Sequence, residues 1–300
     1  MDRMHMMEVF AAVADRGSFA KAARDLALSA AAVTRAITAL EDRLGARLLL
    51  RTTRSVRLTE AGARFLADTQ RILEDIGEAE QAAAGEHAAP RGILNVTAPV
   101  IFGRMYVTPL LRDWLDLHAG VSAHALFVDR MVSMTDEGMD VAIRIGDLPD
   151  SSLTAIRVGA VRRVVVGAPD YFARQGIPGH PDDLASHHAV TVNNGALRAV
   201  DWRFTDGQLG ARIPSRFSVT SLDAAIDTAL SNWALLRTLS YQVAPHVAAG
   251  RLQIVLQAFE PPPLPIHIVH QEGRRASAKL RSFIDFAVEQ LRATPAIHGG

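Results

Sequence analysis

Residues 29–58 read SAAAVTRAITALEDRLGARLLLRTTRSVRL, and this stretch decides how the chain is read. Ser29 can cap a helix by accepting its first free amides, and Gly45 can take the left-handed conformation that ends one. Between them Val33, Ile37, Leu40 and Leu44 recur at steps of four, three and four, the spacing of a buried stripe. Thr34, Arg35 and Thr38 fall on the other side. A short helix with so small an outer face fits a major groove about 12 Å wide. A plain solvated face satisfies the same pattern. From Arg43 to Arg57 there are five arginines and no acid. Residues 46–58 read as a β-ribbon whose tip, Arg51-Thr52-Thr53-Arg54, aims Arg and Thr at phosphates.

Upstream, Met7, Phe10, Ala11 and Ala14 give a helix over 4–15. Gly17-Ser18 stops it and caps a short helix over 19–26. Three short helices separated by Gly and Ser signals are the layout of a helix-turn-helix. Downstream, Thr59 caps a long helix and Glu60 suits its positive end. Phe65, Thr69, Ile72, Ile76, Ala79 and Ala83 form a heptad seam. Run to residue 84, that helix is about 39 Å long. It reads as pairing with a copy of itself, or as packing on its own domain. Residues 85–92, with Pro90, read as a hinge.

The remainder alternates strands and helices. Strands are expected at 93–97, 123–128, 141–145, 156–158, 163–167, 251–256 and 266–269, with a hairpin turning at Asp206-Gly207. Helices are expected after Pro99 and over 170–175, 222–231, 240–249 and 277–291. The pattern is an α/β domain split into two lobes. Pro at the first helical position would leave the amides from Val100 onward free, and these suit an anion.

The motif Val9-Phe10, Val13-Ala14, Gly17-Ser18-Phe19, Ala22-Ala23, Leu26, Ser29, Ala32-Val33-Thr34-Arg35, Ile37, Leu40-Glu41, Leu44-Gly45, Leu48-Leu49 and Arg51-Thr52-Thr53-Arg54 resembles the LysR-type transcriptional regulators. Leu58-Thr59-Glu60-Ala61-Gly62 continues the likeness. So do Asp129-Arg130, Glu137-Gly138, Asp140, Ala142-Ile143-Arg144-Ile145-Gly146 and Leu239-Ser240-Tyr241-Gln242-Val243. The resemblance covers essentially the whole chain.

It implies an N-terminal winged helix-turn-helix over 1–58, a dimerising linker helix over 59–84 and a hinge over 85–92. An effector-binding domain over 93–300 would resemble the type 2 periplasmic binding proteins. Lobe 1 would hold 93–161 and 268–300, and lobe 2 would hold 162–267. The implied DNA contacts are Ser18, Lys21, Ser29, Ala31, Ala32, Thr34, Arg35, Thr38, Arg51, Thr52 and Arg54. The implied effector site is Thr97, Ala98, Pro99, Val100, Ile101, Phe102, Asp129, Arg130, Ile145, Thr191, Val192, Asn193 and Ser221. The partners would be two-fold-related DNA half-sites, a small-molecule effector and further copies of the chain, as a dimer of dimers.

Two departures stand out. Ala30-Ala31 replaces a frequent Gln-Pro, which removes an amide that could touch a base or phosphate. Asn232-Trp233-Ala234 replaces the usual Gly-x-Gly. Asn is the non-glycine residue best suited to a positive φ, which keeps the backbone path open.

Other chemistry is not suggested. There are no cysteines, so disulfides, thiolate metal sites and Cys nucleophiles are excluded. Nucleophile-elbow, phosphate-loop and dinucleotide motifs are absent. The adjacent His187-His188, and His267 and His270 three apart on a strand, have no carboxylate cluster beside them, so no metal or cofactor is expected. The first ten residues hold Asp2, Arg3 and Glu8 and no apolar run, so a soluble cytoplasmic protein is expected. Net charge is zero, and the basic character is local rather than global. A solute-binding module or enzyme reusing the two-lobed fold is the competing reading.

Overall fold

The computed structural model describes residues 2–51, 56–83, 89–150, 152–192, 200–204, 209–213, 215–271 and 277–298. The chain divides into two compact units. The first holds Met1–Gly92, Gly120–Ser122 and Arg275–Arg281, and the second holds Ile93–Ala119, Ala123–Arg274 and Ser282–Gly300.

The first unit runs α1 (Arg3–Arg16), α2 (Phe19–Asp25), α3 (Ala30–Leu44), β1 (Leu49–Arg51), β2 (Val56–Leu58) and α4 (Glu60–Ala83). The punctuation follows local chemistry. Gly17 and Gly45 end α1 and α3 at φ of 57° and 64°. Ser18 and Ser29 accept the amides of Lys21 and Ala32 at 3.4 and 3.1 Å. Thr59 accepts the amide of Gly62 at 2.8 Å. Val9, Phe10, Val13, Ala22, Val33, Ala36, Ile37 and Leu40 make one buried core.

Leu44 departs from the expected stripe. It is 39 % exposed, because α3 has run past the core by its last turn. The heptad seam of α4 is also divided. Phe65 packs tilted against Phe10 at 5.6 Å and Thr69 is fully buried, while Ile72 is 41 % exposed. The first part of the seam therefore serves its own domain.

The second unit carries two sheet systems. The first has the order β4-β3-β5-β14-β6, from β3 (Gly92–Ala98), β4 (Val121–Phe127), β5 (Val141–Ile145), β6 (Leu153–Val161) and β14 (Leu264–Gln271). β3 runs parallel to β5, and β14 runs antiparallel to both β5 and β6. Between β3 and β4 the chain is helical throughout: α5 (Val100–Phe102), a π-turn (Gly103–Val107) and α6 (Thr108–Leu117). α10 (Ala278–Arg292) follows β14, and a 3₁₀ turn (Pro295–Ile297) follows α10.

The second system is built from β7 (Arg163–Gly167), β8 (Ala189–Val192), β9 (Val200–Arg203), β10 (Leu209–Ile213), β11 (Ser215–Val219), β12 (Leu236–Leu239) and β13 (Gln253–Val255). β7 lies antiparallel between β12 and β13, and β8 runs parallel to β11. The Val190 amide donates to the Leu235 carbonyl and the Leu235 amide to the His188 carbonyl, which joins the β8–β11 pair to the three-stranded sheet. Helices α7 (Pro169–Gln175), α8 (Leu222–Leu230) and α9 (Ser240–Ala248) complete it. The strands β8 and β11 were not legible as separate elements in the sequence. The expected turn at Asp206-Gly207 lies outside the described residues, between the antiparallel β9 and β10.

The chain passes from the first sheet to the second at Arg162 and returns ahead of β14. Arg162 donates to both oxygens of Glu260 at 3.1 and 3.0 Å, which ties the two passages together. No helix among the described residues is long and apolar enough to cross a membrane.

Candidate DNA interface and effector site

On α3 the residues Ala31, Arg35 and Thr38 are exposed. Their spacing of four and three puts them on one face, opposite the buried Val33, Ala36, Ile37 and Leu40. Among the described residues Arg35 has no carboxylate within ion-pair reach, so its guanidinium fork is available. The Thr34 hydroxyl donates back to the Ala30 carbonyl at 3.0 Å, which leaves its lone pairs and methyl for a partner. Ser18 and Ser29 spend their hydroxyl oxygens on caps, with Lys21 exposed one turn into α2. Ala32 is half-buried beside them.

Glu41 is the residue that sequence reasoning passed over. It interrupts the apolar stripe of α3 yet is only 5 % exposed. Its Oε1 accepts the amides of Leu48 and Leu49 at 2.8 and 3.0 Å, and Arg47 lies 3.6 Å from its other oxygen. One carboxylate thus fixes the start of β1 relative to α3. The Thr59 hydroxyl donates to the Arg47 carbonyl at 2.7 Å, and a Cβ on Gly62 would stand 2.0 Å from the Leu48 carbonyl oxygen. α3, the ribbon and α4 therefore meet at Leu48. β1 and β2 pair antiparallel as the expected ribbon, with Arg51 opposite Val56. The tip, including Thr52 and Arg54, lies outside the described residues.

The second site forms where β3 ends. Thr97 and Ala98 are fully buried, and the Thr97 hydroxyl has no partner among the described residues. Pro99 is not the first helical residue but the cap, with φ −57° and ψ 144°. Its ring fixes φ, while an extended ψ turns the chain into the helix only at Val100. The expectation of a free amide at Val100 is corrected as well. That amide donates to Asp129 Oδ1 at 3.0 Å, and Val128 donates to the Ala98 carbonyl at 3.0 Å. The segment after β4 is thereby stitched to the turn.

Of the three apolar residues after Pro99, Ile101 and Phe102 are buried and only Val100 is exposed, by 39 %. Arg130 is already engaged, since it grips Glu137 with two bonds of 2.7 and 2.6 Å. That guanidinium holds the Glu137 carboxyl below its ordinary range. Ile145 is half-buried at the end of β5. Thr191 shares a 3.0 Å bond with Ser215, and Val192 is exposed. Ser221 caps α8 through Ala224 at 3.5 Å. Asn193 lies outside the described residues.

Three aromatic rings, two of them unexpected, stand beside this turn. Phe102 lies 4.8 Å from Tyr106 and 5.4 Å from Tyr241, and the two tyrosines are 5.9 Å apart. Burial pushes the Tyr241 phenol above its ordinary range, the Gln242 amide opposes this, and the Asp129 charge adds to it. Tyr241 is thus a neutral phenol near the Asp129 carboxylate. The π-turn brings Tyr106 here, and Gly103 permits it: a Cβ there would lie 2.4 Å from the Phe127 ring. The step of four from Phe102 to Tyr106 was the available signal. Arg104, in the same π-turn, pairs with Asp223 of α8 at 3.1 Å and so joins the two sheet systems.

Asn232 takes the left-handed conformation at φ 63°, as the replacement of Gly demands. Arg174 donates to its carbonyl at 2.6 Å. Trp233 is exposed and stands edge-on to Phe217 at 6.1 Å. Among the described residues no group of three or more His, Asp or Glu could hold a metal ion.

Comparison with known proteins identifies the family of both parts of the chain. Residues 4–63 match the family described as bacterial regulatory helix-turn-helix protein, lysR family, and residues 87–292 match the LysR substrate binding domain. The chain is 35 % identical to an HTH-type transcriptional regulator of Xanthomonas campestris pv. campestris, over 94 % of this chain and 84 % of that one. It is 30 % identical to an HTH-type transcriptional repressor of Pseudomonas aeruginosa, over 99 % and 95 %. The solved structure of CrgA, a LysR-type transcriptional regulator from Neisseria meningitidis, superposes with a TM-score of 0.61 at 28 % identity, covering 97 % of this chain and 99 % of that one. Helix-turn-helix, ribbon, linker helix and two-sheet domain occur in the family's order, and the chain belongs to the LysR-type family of DNA-binding transcriptional regulators, with an effector-binding domain at its C-terminal side.

Proposed function

We propose that this regulator answers to a small organic acid held at the end of β3, and that the acid competes with Asp129 for the Val100 amide. One observation carries the reading. A carboxylate oxygen of the chain already sits 3.0 Å from that amide, so the seat accepts a carboxylate in size and charge. Asp129 is exposed and can swing away. Tyr106, backed by the buried Phe102, would supply an apolar wall for an aromatic or branched acid.

Arg35, Thr38 and Thr34 would read base edges, with Arg51, Thr52 and Arg54 of the ribbon on phosphates. Ile72 and the later seam of α4 would pair two copies, and two such pairs would span two-fold-related half-sites. The protein would act in the cytoplasm, where its DNA lies.

A thermal-shift screen of small carboxylic acids tests the effector reading, since a ligand of the folded state raises Tm. Hits should stabilise the wild type and fail on Val100→Trp, whose indole fills the space before the turn. Equal stabilisation of Val100→Trp would place the effector elsewhere.

A further inference from the structure

The tail after α10 folds back onto the edge of the first sheet and leaves an open groove of about 450 Å³ beside it. β6 is the outermost strand there. Ile297 is fully buried, Ala160 bridges to His298 in parallel, and a Cβ on Gly159 would stand 2.3 Å from the Ile297 carbonyl oxygen. The missing side chain at Gly159 is what lets the tail lie so close.

The groove is lined by Arg157, Val158, Gly159, Ala160, Arg292 and His298. Its ionisable groups are two guanidiniums and one imidazole, with no carboxylate among them. Among the described residues neither arginine forms an ion pair. Arg292 and the His298 ring are nevertheless oriented by backbone carbonyls. Arg292 Nη2 donates to the Arg157 carbonyl at 3.0 Å, and His298 Nε2 donates to the Arg292 carbonyl at 2.7 Å. A guanidinium has five N–H donors, so one such bond orients Arg292 and leaves the rest of its fork unspent. The positive field is felt next door. His267, opposite Arg157 in the ladder, has its imidazole held low by burial and then by the Arg157 charge, with Asp147 opposing.

We infer that this groove is a second ligand site, separate from the turn at Val100, and that it takes a small oxyanion bearing two or more negative charges. Guanidinium forks match phosphate and carboxylate oxygens two at a time, and two arginines beside one imidazole need more than one charge to balance them. The phosphate of a phosphorylated metabolite and a di- or tricarboxylate share this chemistry. The site also has a route to the rest of the domain. β6 ends at Val161, and Arg162 begins the passage to the second sheet. The turn Pro295–Ile297 packs against α9 on that second side. An anion bound here stiffens the junction between the two sheets without touching the effector turn.

The test uses the full-length protein with sodium pyrophosphate, sodium citrate, and sodium chloride at matched ionic strength. Thermal shift and the ring signals of His298 by NMR are followed together. The inference expects a saturable rise in Tm of a few degrees over the chloride control and movement of the His298 signals. Both should require at least tenfold more anion in the double variant Arg157→Gln/Arg292→Gln, which keeps every wing arginine. Response to pyrophosphate alone assigns a phosphate ligand, response to citrate alone a polycarboxylate, and either supports the site. Unmoved His298 signals in the wild type, or an equal Tm rise in the double variant, would overturn it.

Discussion

The Asp129 carboxylate accepts the amide hydrogen of Val100 at 3.0 Å, so the turn expected to hold an effector acid holds one of the chain's own. The consequence is competition. A charge-assisted bond of this kind is worth about 1.5–3 kcal/mol, and an entering acid must replace it. Asp129→Ala removes the competitor without altering the amide. Small acids that stabilise the wild type should bind this variant about tenfold more tightly by titration calorimetry. Weaker binding would mean that Asp129 is a ligand-holding residue rather than a rival.

Glu41 predicts a coupling between stability and DNA binding. Glu41→Ala would leave the Leu48 and Leu49 amides without their acceptor in a buried place. The expected loss is about 2–6 kcal/mol, from two orphaned donors at about 1–3 kcal/mol each. Glu41→Gln keeps an acceptor oxygen and should lose less. Urea unfolding of the two variants, read beside their DNA affinities, checks the order wild type, Gln, Ala. Equal stability of all three would remove Glu41 from the wing's support.

The proposed pairing of two copies turns on Ile72. It is exposed on α4 while its seam neighbours Phe65 and Thr69 are spent on the helix-turn-helix core. Ile72→Asp should leave the fold intact and put a charge into the pairing seam. Light scattering should then show a smaller particle. An unchanged mass would show that copies associate through another surface.

His187 gives the chain an acid-side weakness. It is 3 % exposed, and its Nδ1 meets the Tyr171 hydroxyl at 3.0 Å. Burial holds its imidazole below the ordinary value of 6.5. The unfolded chain therefore takes up a proton first as pH falls through about 6.5, and the folded chain does so only at lower pH. Stability is full above that value and declines below it. The urea midpoint should drop between pH 8 and pH 5.5, and drop less in His187→Asn, whose side-chain oxygen can replace Nδ1. His246 and His267, also held low by burial, keep part of the slope. A slope unchanged by His187→Asn would exclude this histidine.

Much of this was legible because local chemistry and tertiary packing ask for the same residue. Ser18, Ser29 and Thr59 cap helices whatever surrounds them, and Gly17 and Gly45 end them. Asn232 takes its positive φ for the same reason. Legibility failed where partners are distant in sequence. Leu44 has the right period but no core left to meet, and Phe65 packs on Phe10 of α1 in its own unit. Pro99 sits one position earlier in the helix than its identity suggests. Tyr241 lies far along the chain from Phe102, so no spacing rule could bring the two rings together. Arg130, one of the residues the resemblance implies for the effector site, is paired with Glu137 seven residues on.

The most direct test of the account is specific DNA binding through α3. A labelled fragment of the DNA flanking the protein's own gene, titrated at several salt concentrations, measures it by fluorescence anisotropy. The wild type should bind this fragment in preference to unrelated DNA, with affinity falling steeply as salt rises. Arg35→Ala should lose about 1–3 kcal/mol on the specific fragment and little on unrelated DNA, because a lost base contact costs only where the base is present. Equal binding of Arg35→Ala and wild type to both DNAs, across the salt series, would contradict the assignment of this face to base reading.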